Sequence, residues 1–401
     1  MILRSAVPFR LTVFSRIVEP LDCRQVHRIA KRHDGNRGVG NGGRAWRCDR
    51  HLKALVFAQL ADLTSLREIE AALSACPKAH YHTGLRPVRR STLHDALSSR
   101  PCGVFRDVAM ELMRLVEGSL RKEGAALVRL IDASPVPLRG ARFGWAEADA
   151  RSRGLKMHVV YDPTAEHPVR FSLSSPKRSD ITDARAIELE AGATYVFDKG
   201  YNDYAWWKAI IDAGGCFVIR LKSNVHRRDV VERVANGTGI IADRRLSIGH
   251  RQPRGGAENP LYATELREVV VAREGKEPLH LVTNDLQRSA EDIAALYKQR
   301  WQIELFFKWI KQNLGIKSFL GGSENAVKTQ IYAALIAFLL LRLFHATFAR
   351  SFPDNAKALL ARIKVALLEP LDLTLRSKPP PRPPQCRPPS PQFALHLALT
   401  A

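Results

Sequence analysis

Cysteine is scarce in this chain of 401 residues, and the six cysteines are scattered. They form no C-x-x-C pair and no dense spacing, which excludes a disulfide framework and fits a reducing compartment. Two partial sets of zinc-ligand types occur, Cys48 with His51 and Cys76 with His80 and His82. Neither set supplies four ligands at a familiar spacing, so we do not expect a structural zinc site.

Long uninterrupted apolar runs are also missing. The most apolar stretch, YAALIAFLLLRLF (Tyr332–Phe344), is short for a bilayer span and contains Arg342, so it predicts a buried core helix. The first residues, MILRSAVPFRLTVF, carry Arg4 and Arg10 and lack an apolar run followed by a small-residue cleavage site. We therefore expect neither secretion nor a membrane partner.

Acidic residues are outnumbered, with 40 Asp and Glu against 62 Lys and Arg, which gives a net charge of +22. Such an excess is typical of proteins that bind a polyanion, and nucleic acid is favoured because no basic amphipathic segment stands apart from the folded body. The hydrophobic content of 45% is sufficient for real cores in two or three domains. These features predict a cytoplasmic, nucleoid-associated protein.

Residues 8–120 read as a helical domain. In TSLREIEAAL, Ser65 and Glu68 have the spacing of a capping box. In RRSTLHDALSSR, Ser91 or Thr92 can cap a second short helix that is preceded by two arginines, Arg89 and Arg90. Because two short helices with a basic approach resemble a helix-turn-helix, we predict that this domain binds DNA, with the two arginines in contact with it.

The periodicity changes after Ala125. Three strand-like runs, ALVRLIDASPVPL, LKMHVVYDP and VRFSLSS, are followed by a helix (ITDARAIELEAG), a strand (TYVFDKGY), a helix (DYAWWKAIIDAG) and a strand (CFVIRLK). This order predicts an α/β domain over residues 121–350 with a mixed sheet of five strands. Residues 223–290 interrupt it as a β-rich insertion, and residues 351–401 form a C-terminal helical segment and a Pro-rich tail.

The stretch YKQRWQIELFFKWIK, from Tyr297 to Lys311, reads as one long helix. With a turn of about 100° per residue, Arg300, Glu304 and Lys311 lie at about 300°, 340° and 320° from Tyr297. A carboxylate, two cations and a phenol thus share one narrow stripe, beside an apolar face that includes Ile303, Phe306 and Ile310. An ordinary solvent-facing ion pair between Arg300 and Glu304 is the alternative interpretation.

Two aspartates lie at predicted strand ends, Asp132 after RLI and Asp198 after YVF. Neighbouring strand ends bring the two carboxylates together, and Glu304 on the later helix can supply a third. Three acids repel one another unless a divalent metal occupies the site, and oxygen-only ligands suit Mg²⁺ or Mn²⁺. Taken singly, each aspartate could instead be a turn or helix-cap residue.

Together these residues resemble the DDE transposases of bacterial insertion sequences, of the insertion sequence family four type. The resemblance runs from about Phe9 to Ala349 and is most specific in the Y-(2)-R-(3)-E-(6)-K pattern, met by Tyr297, Arg300, Glu304 and Lys311. The stretches DKGYND, with Asp198, and IDAS, with Asp132, add two further matches.

The resemblance implies an RNase H-like (retroviral-integrase-like) catalytic domain with a β-strand insertion. It implies a catalytic and metal-binding triad of Asp132, Asp198 and Glu304, which would hold two Mg²⁺ ions, replaceable by Mn²⁺. Tyr297, Arg300 and Lys311 would bind DNA phosphates. The expected partners are double-stranded DNA, as element ends and as target, and a second copy of the chain in a homodimer on DNA.

We therefore predict a transposase that binds the terminal inverted repeats of its element, cleaves them and transfers the strands. The alternatives are an RNase H-like nuclease that does not join, and an inactive DNA-binding remnant of a degraded element. One departure concerns aromatic residues. Residues 223–290 contain no Trp or Phe and only Tyr262, so Trp206, Trp207 and Trp301 are the candidates for stacking on a flipped base, although core packing is the favoured interpretation for all three.

Overall fold

The computed structural model describes residues 11–40, 42, 45–75, 77–121, 123–149, 152–253, 256–313, 318–348 and 356–371. Its first part is helical, as predicted. The helices there are α1 (Val13–Ile17), α2 (Cys23–Arg32), α3 (Cys48–Leu60), α4 (Leu66–Ala75), α5 (Arg90–Ser99) and α6 (Cys102–Leu120), with a 3₁₀ helix (Pro77–Thr83) between α4 and α5. Because α4 and α5 pack against each other, the predicted helix pair is present.

The capping predictions had mixed outcomes. At α4, the Ser65 hydroxyl accepts a hydrogen bond from the Glu68 amide at 3.2 Å, while the Glu68 carboxylate accepts one from the Thr64 amide at 2.7 Å. The cap predicted at Ser91 or Thr92 is wrong, because α5 begins at Arg90 and its N-cap residue, Arg89, makes no side-chain capping bond. Both arginines therefore lie at the start of α5, and both are exposed.

A single sheet forms the middle of the described chain. Its strands are β1 (Val128–Pro137), β2 (Glu147–Asp149), β3 (Ser152–Asp162), β4 (His167–Ser174), β5 (Thr194–Phe197), β6 (Cys216–Arg220), β7 (Arg227–Arg233), β8 (Ile240–Ile248), β9 (Leu266–Arg273) and β10 (Lys276–Thr283). The order is β2-β3-β1-β5-β6-β10-β9-β8-β7, with β4 paired to β3. Strands β1, β5 and β6 are parallel to one another, whereas β3 and β4 are antiparallel. The predicted five-stranded mixed sheet is confirmed, and its strand order is that of the RNase H-like fold.

The β-rich insertion extends this sheet instead of merely interrupting it. Strand β10 pairs antiparallel with β6, with Val282 opposite Ile219. Without β10, β6 would leave a row of unpaired backbone groups at an open edge. The insertion satisfies those groups, and it is rigidly continuous with the strands that carry the aspartates.

The remaining helices are α7 (Asp180–Ala184), α8 (Tyr204–Asp212), α9 (Ala290–Gln299), α10 (Trp301–Asn313), α11 (Glu324–Phe348) and α12 (Ala356–Ala366). The helix predicted in ITDARAIELEAG is shorter than expected, because only α7 forms. Beyond it, Glu190 reaches the buried Arg129 of β1, whose Nε donates to the Glu190 carboxylate at 2.7 Å. That ion pair favours a non-helical path for the chain between α7 and β5.

The two faces of the sheet bury two separate cores. On one face, Leu130 and Val196 join the core that contains α11; on the other, Ile131 and Phe197 pack with Trp207 of α8. Successive side chains in a strand point to opposite faces, so the residue after Ile131 and the residue after Phe197 point to the face of Leu130 and Val196. Asp132 and Asp198 fall on the α11 side.

Helix α11 is the centre of the first core. It is long and apolar enough to span a membrane by length and composition, yet 72% of its most apolar window is buried inside the protein. It packs against α3 and α6, so the N-terminal helices and the sheet share one continuous core. The prediction of a buried core helix is confirmed. The predicted domain boundary at residue 120 therefore separates helices α3 and α6 from α11, against which they pack.

The C-terminal segment returns to the start of the described chain. The amide of Phe14 donates to the carbonyl of Leu367 at 2.9 Å, and the amide of Leu371 donates to the carbonyl of Leu11 at 2.8 Å. The predicted C-terminal helix is present as α12. The Pro-rich tail, residues 376–391, lies outside the described residues.

Candidate active site

Two aspartates lie side by side on neighbouring parallel strands. Asp198 follows the end of β5, whereas β1 continues to Pro137, so the prediction that Asp132 ends its strand is wrong. In the β1–β5 ladder Ile131 is opposite Phe197, so Asp132 and Asp198 each follow at the next step of the two chains. Neighbouring strands lie about 4.8 Å apart, and both side chains are on the face toward α10. The juxtaposition predicted from the strand ends is thus present.

Helices α9 and α10 bring the third acid to the same edge. The predicted single helix over residues 297–311 is wrong, because α9 ends at Gln299 and α10 begins at Trp301. The break is tight, with the Arg300 amide donating to the Tyr297 carbonyl at 3.1 Å and the Ile303 amide donating to the Arg300 carbonyl at 3.2 Å. Since Arg300 keeps helical dihedral angles (φ −52°, ψ −29°), the predicted stripe survives the break.

Every member of the stripe contacts the sheet edge or another member. The Tyr297 hydroxyl donates to Asp198 Oδ1 at 3.1 Å. The Arg300 guanidinium donates to Glu304 Oε1 at 2.6 Å, and its Nη1 lies 3.6 Å from Asp132 Oδ2. The pair is therefore not the solvent-facing ion pair of the alternative interpretation, because the same guanidinium also neutralises an aspartate on the sheet.

Lys311 reaches the same strand two residues further on. Its Nζ donates to Ser134 Oγ at 2.7 Å. Ser134 was not predicted, although strand alternation places it on the same face as Asp132. The Ala133 amide, which donates to Asp132 Oδ1 at 2.8 Å, was also missed, since backbone donors leave no trace in a sequence pattern.

The acids sit in an electrostatically unfavourable place. The pKa of Asp132 is raised to about 6, mainly by burial. The Ala133 amide and Arg300 act against this rise, and the nearby Glu304 and Asp198 act with it. Burial also raises the pKa of Tyr297 to about 12, with Asp198 acting in the same direction. The site as a whole therefore holds more negative charge than Arg300 alone offsets comfortably.

The cations respond to the same surroundings. Burial disfavours the charge of Arg300, but Tyr297 and Glu304 outweigh that effect, so its pKa lies above the usual value. For Lys311, burial lowers the pKa, and Asp132 opposes the change only in part. Arg300 is consequently the cation most firmly held by the acids.

The donor set suits a hard divalent cation. Its three side chains offer oxygen atoms only, which is the chemistry that Mg²⁺ and Mn²⁺ prefer. Within the described residues, no three His, Cys, Asp or Glu side chains are grouped closely enough to hold an ion. In this arrangement the Arg300 guanidinium lies between Asp132 and Glu304 and supplies the positive charge.

The partial zinc sets do not converge. His51 is fully buried with its ring centroid 5.7 Å from that of Phe105, and His80 is buried with its ring centroid 5.1 Å from that of Phe57. Burial lowers the pKa of His51 to about 3, so this ring is neutral. Cys76 lies outside the described residues. Packing explains both histidines.

The three tryptophans separate clearly. Trp206 and Trp207 are buried in the core with Phe197 and Phe217, as favoured from the sequence. Trp301 is 61% exposed, so the prediction that it packs in the core is wrong. It follows Arg300 directly at the start of α10. Of the three rings, it is the exposed one. In the insertion, the face of the Tyr262 ring is covered by the Arg228 guanidinium, 3.7 Å from the ring centroid.

Strand order and the placement of the acids define an RNase H-like polynucleotidyl transferase. A family model described as a transposase DDE domain matches residues 123–340, more than half of the chain. The chain therefore belongs to the DDE transposases. A second model, a domain of unknown function (DUF4372), matches residues 10–86, within the N-terminal helices.

Curated relatives agree with this assignment. The protein y4zB of Sinorhizobium fredii, described as a transposase, is 41% identical over 75% of this chain and 85% of its own length. A protein of Geobacillus stearothermophilus, described as a transposase for insertion sequence element IS5377, is 30% identical over 54% of this chain and 56% of its own. A protein of Synechocystis, described as a transposase for element IS4SA, is 31% identical over 63% and 71%.

A solved structure, the cryo-EM structure of the piggyBac transposase synaptic complex with hairpin DNA, aligns over 97% of this chain and 84% of that chain, with a TM-score of 0.49 and 8% identity. The family and the relatives, and not this likeness, carry the assignment. The protein is a DNA transposase of insertion-sequence type, and its family implies dependence on a divalent metal.

Proposed function

We propose that this transposase binds the terminal inverted repeats of its own element, cleaves the DNA there and joins the freed 3′-OH to target DNA. Water and then the DNA hydroxyl act as nucleophiles, so no covalent protein–DNA intermediate is needed. The observation that carries the proposal is the contact of Arg300 with both Asp132 and Glu304 at the edge where Asp198 also lies. This contact connects two acids that are distant in the chain, and Tyr297, from the same stripe as Arg300, contacts the third.

In this proposal Asp132, Asp198 and Glu304 are the catalytic acids and hold two Mg²⁺ ions, which Mn²⁺ can replace. Bound metal would activate the attacking oxygen and stabilise the leaving oxygen of the scissile phosphate. The raised pKa of Asp132 supports this role. The charged form of a buried carboxylate beside two other acids is unfavourable on its own, and a nearby cation stabilises it. Arg300 stands in for that cation when the acids are free of metal.

The other stripe residues orient the DNA. With metal bound by the acids, the Arg300 guanidinium would be free to form a two-point contact with a phosphate. Lys311, at Ser134, supplies a point charge on the neighbouring side, and the Tyr297 hydroxyl holds Asp198 in place. Loss of such orientation slows the chemical step more than it weakens binding.

DNA recognition is assigned to the N-terminal region, where Arg89 and Arg90 are exposed at the start of α5. No described contact connects these arginines with the acids, so they would bind a different part of the element end. Each chain carries one set of acids while an element has two ends, and we therefore place a homodimer on DNA. Its setting is the cytoplasm, at the nucleoid.

The test replaces each acid by its amide and measures nicking and strand transfer on labelled DNA that carries the element's own ends. Asp132→Asn, Asp198→Asn and Glu304→Gln should each lower cleavage by about 10³-fold or more, because metal charge stabilisation is worth several kcal/mol. End binding should persist. Asp212→Asn, at the exposed C-terminal end of α8, is the matched control and should cleave at the parental rate.

Metal replacement adds a second readout. Mn²⁺ should support at least as much cleavage as Mg²⁺, and Ca²⁺ should allow binding with little cleavage. An amide variant that cleaves like the parent would remove that residue from the site. A parent that cleaves without joining would make the protein a nuclease, and a parent that binds ends without cleaving would make it an inactive remnant.

A further inference from the structure

A large cavity begins at Asp198 and continues along the insertion. It has a volume of about 1060 Å³ and is partly open to solvent. Its walls come from the Asp198–Gly200 turn, the segment after β6, and strands β7, β8 and β10 of the insertion. We call it the insertion groove. It is the size of the largest ligand pockets, so it has room for a few nucleotides of one strand and none for a duplex.

Cations dominate the groove wall. Five of them line it: Lys199, Arg220, Lys222, Arg227 and Arg244. The acidic lining residues are Asp198 and Glu277. Within the described residues, no carboxylate lies within ion-pair distance of Lys199, Arg220 or Lys222. Unneutralised cations clustered in a concave site concentrate positive potential there.

A buried glutamate fixes the far end of this wall. Glu268 of β9 is completely buried, and its Oε1 accepts hydrogen bonds from Arg227 Nη2 at 2.7 Å and from His280 Nδ1 at 3.0 Å. Its Oε2 accepts no hydrogen bond from any described residue and has Arg244 Nη1 at 3.7 Å. All three partners of Glu268 line the groove. One buried carboxylate therefore positions the Arg227 guanidinium and the His280 imidazole, and it also lies near Arg244, whose Nε donates to Glu232 at 2.7 Å.

The groove lacks a stacking platform. Its described lining includes no Trp, Tyr or Phe, and His280 supplies the one heteroaromatic ring. Base stacking on aromatic side chains is how many proteins grip the bases of single strands. A groove that offers mainly cations instead contacts phosphates, and such binding is independent of base sequence.

We infer that the insertion groove binds the sugar-phosphate backbone of a single DNA strand that extends from the scissile phosphate, with Glu268 as the positioning residue for Arg227, Arg244 and His280. The inference rests on the proposed function, because it takes Asp198 as the place where the strand enters. It assigns a function to the insertion that does not require base flipping. The strand would lie along the sheet extension formed by β10.

The test measures binding of the full chain to a fluorescent single strand of about ten nucleotides, without divalent metal, over a range of salt concentrations. The variant Arg220→Gln with Lys222→Gln removes two groove cations. The control, Arg245→Gln with Arg251→Gln, removes the same charge from exposed positions of the insertion that do not line the groove. The control keeps the net charge equal, so any difference reports the groove itself.

The slope of log affinity against log salt should fall by about 1.4 in the groove variant, because a single strand releases about 0.7 counterion per neutralised phosphate. The control should keep the parental slope. Lys222→Gln alone, at an exposed side chain, should lower the slope by about 0.7 and covers the case in which the double variant fails to fold. A poly-dT and a mixed-sequence strand should bind equally well.

A groove variant with the parental slope would overturn the inference, as would equal losses in the groove variant and the control. The outcome is separable from the proposed function. Asp132→Asn should abolish cleavage and keep single-strand binding. If instead the parent cleaves and joins DNA while the groove variant binds single strands like the parent, the proposed transposase function stands and the inference about the groove is wrong.

Discussion

Two clusters of carboxylates and arginines in this protein are built in opposite ways. At the strand edge, Asp132 and Glu304 share one arginine, Arg300, and burial raises the pKa of Asp132 to about 6. In the insertion, Glu268 is shared by Arg227, Arg244 and His280. Burial opposes its charge, but the hydrogen bonds from Arg227 prevail and its pKa is lowered. The first cluster lacks positive charge. In the second, Arg244 also pairs with Glu232 at 2.7 Å, and the excess of positive charge comes from the neighbouring groove cations Lys199, Arg220 and Lys222.

The difference separates two tasks. A cluster that is short of positive charge can bind a cation. The repulsion between its acids lowers the stability of the fold, as is common at active sites. A cluster with surplus positive charge is poised to take up an anion, and its buried carboxylate also contributes to stability. Replacing an acid by its amide should therefore stabilise the fold in the first cluster and destabilise it in the second.

The largest effect is expected from Glu268→Gln. Removing the buried charge leaves Arg227, Arg244 and His280 without their common partner, and breaking such a pair costs about 3 kcal/mol of unfolding free energy. Urea unfolding measures it. Glu265→Gln, at an exposed ion pair with Arg245, is the control and should change stability by less than about 0.5 kcal/mol. A stable Glu268→Gln protein would show that the second cluster is not a structural centre.

The same contact sets a pH dependence. Because the folded-state pKa of Glu268 is lowered, its contribution to stability is present above the pKa of an unfolded glutamate and is lost as pH falls through the lower folded value. Acid unfolding of the parent should therefore include this loss, and Glu268→Gln should be less sensitive to acid than the parent.

The next effect concerns the bridging arginine of the first cluster. Arg300→Gln should lower single-turnover cleavage of end DNA by about 10²-fold, since orientation of the scissile phosphate is lost, and should change initial binding far less. Lys298→Gln, exposed on the same stretch of helix, should cleave like the parent. Parental cleavage by Arg300→Gln would return the Arg300–Glu304 contact to a purely structural role.

Asp132→Asn should act in the opposite direction to Glu268→Gln. The folded-state pKa of Asp132 lies near 6 against an ordinary 3.8, so its contribution to stability is present below about pH 4 and is lost as pH rises through about 6. At neutral pH and without metal, the amide should therefore stabilise the fold by up to about 2 kcal/mol. Thermal unfolding in a chelator measures it, with Asp212→Asn as control. A lower melting temperature for Asp132→Asn would contradict the contrast between the clusters.

The smallest effect lies outside both clusters. Arg89→Gln with Arg90→Gln in the full chain should reduce the salt slope of duplex end binding by about 2, since each lost phosphate contact removes about one counterion. Arg24→Gln with Arg28→Gln, exposed on α2, removes the same charge and should keep the parental slope. The full chain is used because α3 and α6 pack on α11, and a fragment ending at residue 120 would expose that surface. Equal slopes in both variants would leave the N-terminal region without a specific role in recognition.

Much of the fold could be predicted from local pattern. The apolar runs before Asp132 and Asp198 identified β1 and β5, and the spacing of Ile303, Phe306 and Ile310 identified the buried face of α10; all three are buried. These predictions succeed because strand alternation and helical periodicity follow from backbone geometry alone. The prediction of a longer helix in ITDARAIELEAG failed. Helix α7 ends at Ala184, and Glu190, further along the same stretch, pairs with Arg129.

The sequence by itself determined which residues share a helix stripe, which apolar runs form strands, and the excess of positive charge, because each depends on neighbours along the chain. Only the tertiary structure decided that β10 completes β6, that Arg300 bridges two acids, that Trp301 is exposed, and that Glu268 contacts two arginines and a histidine. Such contacts join residues far apart in the chain; Lys311 and Ser134, for example, are 177 positions apart. Which distant groups meet depends on how the sheet and helices pack as a whole, and no local periodicity records it.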